Sequence, residues 1–223
     1  MSEPSVKSDV IEQTALEAAA AVQVWSEKGE SVTFGSLFEH QKTIVVFIRL
    51  FGPAGHFLCG LCQAYVEELG KIPKSTLDAA GTRIVVIGCG EWSVIKQYKG
   101  HILADSDNYP YEIYAEPTRT IHRELGLITN IKGPGPGEKS KSYVPSLLGS
   151  TLSSIARGLR NITSTTKVGN FSQLGGDFVL GPGLNVTFAW RMRNSHDHVE
   201  IDDLMKAAGV AYSTGASQSN STA

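Results

Sequence analysis

The chain has 223 residues, of which 41% are hydrophobic and 19% charged, and its formal net charge is −2. These values are typical of one globular domain with a sizeable core, and the interspersed charges form no basic stripe of the kind that binds nucleic acid. The apolar runs reach about five residues, far below the roughly 20 that a membrane-spanning helix needs. We therefore expect neither nucleic acid nor a membrane among the partners.

The pattern of apolar residues predicts a succession of strands and helices. In chain order these are a helix at 9–21, a hairpin at 22–25 and 31–34, a buried strand at 43–49, a helix to Gly70 that resumes after Pro73 as far as Ala80, a second buried strand at 83–88, a helix at 91–98, a strand at 111–114, a helix at 118–125, a surface loop at 132–140, a helix at 146–159, a hairpin at 177–180 and 186–191, and a helix at 200–208. This order is typical of an α/β fold with parallel and antiparallel strands.

Two features of the sequence predict a cytoplasmic location. The N-terminal region carries acidic residues early (Glu3, Asp9, Glu12) and lacks the compact apolar core of a signal peptide. The chain has three cysteines, and an odd number does not suit the disulfide framework of a secreted protein. In the reducing cytoplasm, a closely spaced pair of cysteines is more often catalytic than structural.

Cys59 and Cys62 form a Cys-x-x-Cys motif between the first buried strand and the helix that follows it. Two thiols at this spacing close a disulfide across one helical turn, and the positive end of the helix dipole stabilises a thiolate at Cys59. The order strand, Cys-x-x-Cys, helix indicates a thioredoxin-like redox site. Two alternatives remain open. One is a structural zinc half-site, although no second ligand pair follows at the usual spacing, and the other is a pair of buried, unreactive thiols.

Three further residues are candidates for the same site. Arg49 ends the first buried strand, where its guanidinium would hold a thiolate or polarise a peroxide oxygen. The alternative for Arg49 is a solvated cation at a strand end. Arg191 ends the second hairpin strand and is a weaker candidate for the same role. His56 would lower the pKa of a thiol, although a loop histidine is usually just solvated.

Cys89 and a group of polar residues complete the candidates. Cys89 follows the second buried strand, where α/β sheets often place functional groups, but we expect it to pack in the core. The residues His196, Asp197 and His198 resemble a metal site only because they are adjacent in the sequence. At consecutive positions before a helix, these residues are expected to form a polar cap.

The stretch TIVVFIRLF followed by FLCGLCQAYVEELGKI resembles the peroxiredoxin-like 2 family of the AhpC/TSA class. The similarity continues in RIVVIG, YEIYAEPTRTIHRELGL, GGDFVLGPG, FAWRMRN and DHVEIDDLMKAAG, and it covers about residues 20–210. The resemblance implies a thioredoxin-like fold, with a central mixed sheet flanked by helices, an N-terminal hairpin and an inserted helix before the C-terminal hairpin. It also implies that Cys59 and Cys62 are the redox centre.

With this resemblance we divide the chain into three parts. Residues 1–20 form an N-terminal extension, 21–211 a thioredoxin-like domain of the AhpC/TSA type, and 212–223 a disordered tail. The tail is predicted from its composition, which is rich in Ser, Thr, Gly and Ala and nearly uncharged.

The chain departs from the family pattern in the loop before the cysteines. The segment from Gly52 to His56 is inserted between Phe51 and Phe57. The peroxiredoxin signature places a proline and a threonine ahead of the reactive cysteine, and Gly52 and His56 stand at those positions. A thioredoxin-type cis-proline is not recognisable either, since Gly175–Gly176 is its nearest counterpart.

The sequence thus predicts a thiol-dependent oxidoreductase that reduces peroxides or disulfides. Cys59 attacks the substrate, Cys62 resolves the intermediate by forming a disulfide, and thioredoxin or glutathione reduces the pair again. No organic cofactor and no metal are expected. The alternatives are a thioredoxin-fold binding or scaffold protein without turnover, and a specialised isomerase or reductase of a biosynthetic pathway.

Overall fold

The computed structural model describes residues 7–49, 60–102, 109–129, 141–143 and 172–214. The strands are β1 (Gln23–Ser26), β2 (Ser31–Thr33), β3 (Lys42–Ile48), β4 (Thr82–Gly88), β5 (Glu112–Ala115), β6 (Gly176–Leu180) and β7 (Val186–Arg191). Within the described ranges they form one seven-stranded sheet in the order β2-β1-β5-β4-β3-β6-β7. Strands β3, β4 and β5 run parallel and all other pairs are antiparallel, which confirms the predicted mixed sheet.

The helices of the described residues lie on both faces of this sheet. They are α1 (Gln13–Ala20), α2 (Gly60–Gly70), α3 (Lys74–Ala79), α4 (Ile95–Ile102), α5 (Thr120–Glu124) and α6 (Ile201–Ala207). Buried side chains of α2, α3, α4 and α6 belong to one core, and those of α1 and α5 belong to the core on the other face. The predicted inserted helix at 146–159 and the loop at 132–140 lie outside the described residues.

Strand β3 explains how one sheet separates two cores. Ile44, Val46 and Ile48 pack into the core that contains α2, while Val45 and Phe47 pack into the core that contains α1. Successive side chains of a strand point to opposite faces, so an uninterrupted apolar run is what a strand covered on both sides requires. The prediction of a doubly buried strand is confirmed.

Helix ends were predicted well where a glycine stops the helix. Gly81, Gly126 and Gly209 have φ values of +59°, +72° and +71°, a conformation that glycine adopts without the cost a Cβ would impose. The helix predicted at 91–98 is different. Only the part from Ile95 onward is α-helical, and it follows a 3-10 turn at Trp92–Val94.

The helix predicted at 9–21 begins later, at Gln13. The reason is tertiary, because Asp9 is used by the edge of the sheet. Its backbone N–H donates to the Ala189 carbonyl (2.7 Å), and its carboxylate accepts the Arg191 N–H (2.9 Å). These bonds hold the chain extended alongside β7, so residues assigned to an N-terminal extension are part of the folded unit.

The other end of the described chain is also attached. The Ser213 hydroxyl and the Thr214 N–H both donate to the carboxylate of Asp202 in α6 (3.1 and 2.7 Å), and Tyr212 packs against the core. Residues 212–214 belong to the predicted disordered tail, but these contacts attach them to the domain. No helix in the described part of the chain has the length and apolar character to cross a membrane.

Candidate functional site

The carboxyl ends of β3 and β4 bring two of the predicted residues together. These neighbouring parallel strands pair Ile48 with Gly88, so the next residues, Arg49 and Cys89, leave the sheet side by side. The Cys89 Sγ lies 2.6 Å from the Arg49 carbonyl oxygen. Loops at the carboxyl ends of parallel strands are where α/β proteins most often place functional groups.

Arg49 is a buried cation and not the solvated one of the alternative interpretation. Its side chain is only 9% exposed, and its Nε donates to the Gln173 carbonyl (3.2 Å) in the segment before β6. Burial lowers the pKa of Arg49, and the proximity of Cys89 opposes that shift. An arginine remains protonated under such conditions, so Arg49 carries a positive charge that is almost fully buried from solvent.

Cys62 lies in the first turn of α2, with 1% of its surface exposed, and it is disulfide-bonded. A disulfide sulfur is not the thiolate that zinc binds. Cys89 is buried as expected and is not part of a disulfide. Cys59 and the inserted loop with His56 lie outside the described residues.

The segment before β6, residues 173–175, lies against the end of β3 and next to Arg49. A Cβ on Gly175 would lie 1.8 Å from the Phe47 carbonyl oxygen, so only glycine allows this backbone to approach β3 so closely. The buried Gln173 side chain fixes the same segment by donating to the carbonyls of Leu127 (3.1 Å) and Leu174 (3.0 Å). The cis peptide bond among the described residues is Gly181–Pro182, in the turn between β6 and β7.

A second group of polar residues lies under α2, and sequence reasoning missed it. Asp177 of β6 is fully buried, and its two carboxylate oxygens lie 3.0 and 3.2 Å from Nδ1 of His198. The Val199 N–H donates to the same carboxylate (2.9 Å). The His198 ring stacks on Tyr65 of α2, with centroids 4.3 Å apart and planes 10° from parallel. The available signal was the single acidic residue in the otherwise apolar strand β6.

The predicted polar cap at 196–198 is therefore wrong for His198, which is fully buried. Its neighbour Asp197 serves a different purpose, since its carboxylate accepts the Arg193 N–H (2.9 Å) and its carbonyl accepts the Trp190 indole N–H (2.6 Å). Adjacent side chains on an irregular segment point in different directions, which a linear reading of the motif does not reveal. The described residues contain no group of three or more potential metal ligands.

Arg191 is a structural anchor in this fold. Its guanidinium donates to the carbonyls of Leu125, at the end of α5, and of Val10. It also lies 3.8 Å from the Asp9 carboxylate. The Arg191 guanidinium therefore binds the N-terminal segment and the end of α5, and these contacts do not support an active-site role for it.

A second buried imidazole lies against the opposite face of the sheet. His122 of α5 is fully buried, with Nδ1 3.6 Å from the carboxylate of Glu116, and its ring meets Phe47 edge to face. Burial lowers the pKa of His122, with Glu116 opposing the shift. Glu116 itself is occupied by hydrogen bonds from the Ile121 N–H (3.2 Å) and the Thr118 hydroxyl.

Comparison with known proteins places this fold and site in context. Residues 69–194 match the family model described as AhpC/TSA antioxidant enzyme, a range that contains Cys89 and Asp177 but begins after Cys62. Peroxiredoxin-like 2C of Mus musculus is 36% identical over 209 residues, covering 93% of this chain and 87% of that protein. Peroxiredoxin-like 2C of Homo sapiens is 34% identical, covering 87% and 80%.

Solved structures agree at the level of the fold. A peroxiredoxin 6 of Arenicola marina superposes with a TM-score of 0.55 at 12% identity, covering 92% of this chain and 72% of that one. Peroxidoxin BcpB of Mycobacterium tuberculosis gives 0.53 at 10% identity, covering 95% and 100%. The predicted thioredoxin-like architecture is confirmed. The chain belongs to the AhpC/TSA antioxidant enzyme family, in its peroxiredoxin-like 2 branch, and this membership indicates a thiol-based redox function.

Proposed function

We propose that the protein is a thiol-dependent oxidoreductase that reduces peroxides or disulfides through Cys59 and Cys62. The observation that carries the proposal is the disulfide-bonded state of Cys62 in the first turn of α2. Cys62 and Ile48, the last residue of β3, both contribute to the core on this face of the sheet. Arg49, the residue after Ile48, supplies a buried positive charge at that end of the sheet.

The proposed cycle balances as follows. With a peroxide, the Cys59 thiolate attacks the terminal oxygen, the O–O bond breaks, and the product alcohol leaves after taking a proton. The Cys62 thiol then attacks the sulfenic sulfur of Cys59, which gives the disulfide and water. With a disulfide substrate, the first product is a mixed disulfide, and Cys62 releases the second thiol. An external dithiol or two thiols, from thioredoxin or glutathione, return two electrons and two protons.

Arg49 has two uses in this cycle. A fixed positive charge in a water-poor site stabilises a thiolate and the negative charge that develops on a leaving oxygen or sulfur. The bond from its Nε to the Gln173 carbonyl holds the guanidinium in place before substrate arrives. The absence of the signature proline and threonine favours disulfides or bulky peroxides over hydrogen peroxide as substrates.

Stopped-flow reaction of the reduced protein with hydrogen peroxide, a lipid peroxide and a disulfide tests the proposal, with thiols counted after each reaction. The wild type should lose two thiols per chain. Cys59→Ser should not react, and Cys62→Ser should react once and stop at a sulfenate or mixed disulfide. Cys89→Ser is the control for the thiol count and should also lose two thiols per chain.

The outcomes separate the alternatives. Unchanged thiol counts with all three oxidants would contradict the proposal and favour a binding or scaffold protein. An inert Cys62→Ser variant beside a reactive Cys59→Ser variant would reverse the two roles. The reductant is identified by coupling turnover to NADPH oxidation through thioredoxin and its reductase, or through glutathione and its reductase.

A further inference from the structure

The buried cluster under α2 contains a polar atom that the fold alone does not explain. His198 Nδ1 lies against both oxygens of Asp177, but Nε2 is buried and has no hydrogen-bond partner among the described residues. A buried polar atom without a partner destabilises the fold, so such an atom in a native structure calls for an explanation. A function in proton transfer is one that an imidazole commonly serves.

Asp177 sets the chemical state of this imidazole. A carboxylate accepts and cannot donate, so the hydrogen on Nδ1 points at Asp177 and the orientation of the ring is fixed. The second oxygen of Asp177 accepts the Val199 N–H, which holds the carboxylate in turn. An imidazole oriented by a buried carboxylate is the arrangement by which proteins hold a proton donor or acceptor at Nε2.

The cluster is connected to Cys62 through α2. Tyr65, whose ring stacks on His198, follows Cys62 by one helical turn, and residues three apart on a helix are neighbours on one face. Tyr65, His198 and Asp177 are fully buried, and Cys62 and Tyr65 belong to the same core. Burial and the charge of Asp177 raise the pKa of Tyr65, so this phenol stays protonated.

Cys62 needs a nearby proton donor because it is 1% exposed. When its disulfide is reduced, Cys62 leaves as a thiolate, and a thiolate in apolar surroundings is strongly disfavoured. Bulk water does not reach such a sulfur readily. Among the described residues, His122 lies against the opposite face of the sheet, His40 is exposed, and His196 is half-buried.

We infer that Asp177 and His198 form a buried proton-transfer pair that serves the Cys62 thiol. This inference rests on the proposed function, since it takes the Cys62 disulfide to be redox-active. In the reductive direction, a thiolate attacks the sulfur bonded to Cys62 and the S–S bond breaks. The electron pair goes to Cys62 Sγ, which takes a proton from Nε2 of His198, and the neutral imidazole regains a proton from solvent. In the oxidative direction, Nε2 accepts the proton of the Cys62 thiol before that sulfur attacks.

Within the part of the chain that the structure describes, three groups face His198 from the surrounding elements. Asp177 comes from β6 and Tyr65 from α2, and the Tyr143 ring lies 6.5 Å away, edge to face. The Tyr143 hydroxyl donates to the His196 carbonyl (2.8 Å), and the charges of Asp177, Glu200 and Asp197 act on it. The pH dependence should therefore also be measured in Tyr143→Phe, which removes only the hydroxyl group of this neighbour.

The test follows the reduction of the Cys62 disulfide by dithiothreitol, in single turnovers from pH 6 to pH 9, by acid quench, alkylation and mass spectrometry. The variant is His198→Asn, because an asparagine amide N–H reaches the position of Nδ1 and leaves Asp177 its donor, while Nε2 is removed. The ratio of wild-type to variant rates cancels the ionisation of dithiothreitol. We expect a ratio of about 100 at pH 6.5 that falls as the pH rises, because general-acid catalysis needs a donor that carries its proton.

The matched control is His122→Asn, which removes the other imidazole that lies against a buried carboxylate. Its ratio should stay near one at every pH. A ratio for His198→Asn that is constant with pH, whether large or near one, would overturn the inference, as would equal behaviour of the two variants or a disulfide that dithiothreitol does not reduce. If His198→Asn does not fold, Asp177→Asn gives the same test, since an amide there can place the wrong hydrogen on the imidazole.

The readout distinguishes this inference from the proposed function. Reduction by dithiothreitol requires neither a peroxide nor a protein partner. Absence of turnover with every oxidant, together with a pH-dependent effect of His198→Asn on reduction, would contradict the proposed function and support the proton-transfer pair. Normal turnover, together with an effect of His198→Asn that does not change with pH, would support the proposed function and contradict the proton-transfer pair.

Discussion

At the scale of single residues, the described part of the molecule contains a buried cation and two buried acid–imidazole pairs, of which only one lies on the same face of the sheet as Cys62. Arg49 is buried at the end of β3, and the Asp177–His198 and Glu116–His122 pairs lie on opposite faces of the sheet. Buried charged and titratable groups cost stability unless they are paired, so their presence in the core points to a function for some of them. Two predictions test the residues individually.

The first concerns Arg49. Arg49→Met keeps much of the side-chain volume and removes the charge, so it should slow the first thiol reaction about 100-fold. Arg83→Met is the matched control, because Arg83 is a half-buried arginine of β4 that binds the Leu37 carbonyl and Glu112. Stopped-flow rates with the preferred oxidant check this, and equal rates for both variants and the wild type would remove Arg49 from the site.

The second concerns stability against pH. The lowered pKa of His122 means that, in acid, the unfolded chain binds a proton that the folded chain does not. Stability therefore falls as pH drops below the ordinary histidine value of about 6.5, by up to about 1.4 kcal/mol per pH unit, until the lowered folded pKa is reached.

This dependence should be weaker in His122→Phe, whose ring can keep the edge contact with Phe47. Urea unfolding at pH 7, 6 and 5 measures it. The control is His40→Gln, since His40 is exposed. A wild-type slope that His122→Phe leaves unchanged would show that other groups are responsible.

At the scale of elements, the site depends on how closely the segment before β6 approaches β3. Gly175 makes that approach possible, and the adjoining Gln173 accepts the hydrogen bond from Arg49. Arg49 is thus held in place by a segment far away in sequence. The same segment leads into β6, which carries Asp177.

Gly175→Ala should therefore damage both stability and rate. The new Cβ meets backbone, which cannot rotate away, so we expect a loss of about 3 kcal/mol and a slower thiol reaction as Gln173 moves away from Arg49. Gly183→Ala is the comparison, because nothing lies within 4 Å there and its φ of +67° costs about 1 kcal/mol. Denaturant unfolding and stopped-flow rates measure both effects, and equal losses in the two variants would contradict the steric argument.

At the scale of the whole molecule, the N-terminal segment is part of the fold. Leu16 and Ala19 of α1 are fully buried in the core that also contains α5. Residues 8 and 9 bind the outer edge of β7, and Arg191 joins them to the end of α5. An unpaired edge strand invites association with other chains, and this segment covers part of that edge.

The prediction at this scale is that Leu16→Ala destabilises the entire domain. Removing a fully buried leucine side chain costs about 2–5 kcal/mol, and cooperative unfolding should show that cost in one transition. Thr14→Ala, at an exposed position of the same helix, should change the stability by less than about 0.5 kcal/mol. Separate transitions for α1 and for the sheet would show instead that the N-terminal segment is an appendage.

The sequence by itself determined the elements and the class of fold. Runs such as Ile44–Ile48 predict doubly buried strands because side-chain direction alternates with a period of two, and glycines such as Gly81 and Gly126 end helices because only they adopt positive φ freely. The Cys-x-x-Cys motif is likewise a local pattern, and its interpretation as the redox centre stays a prediction.

Only the tertiary structure decided which distant residues meet. Asp177 and His198 are 21 positions apart, and Arg49 and Gln173 are 124 apart, so no local pattern relates them. Arg49 and Arg191 both end strands, but β3 lies inside the sheet and β7 at its edge, which buries one guanidinium beside Cys89 and gives the other to the N-terminal segment. Such pairings depend on strand order and register, which arise from the packing of the whole chain and not from any one segment.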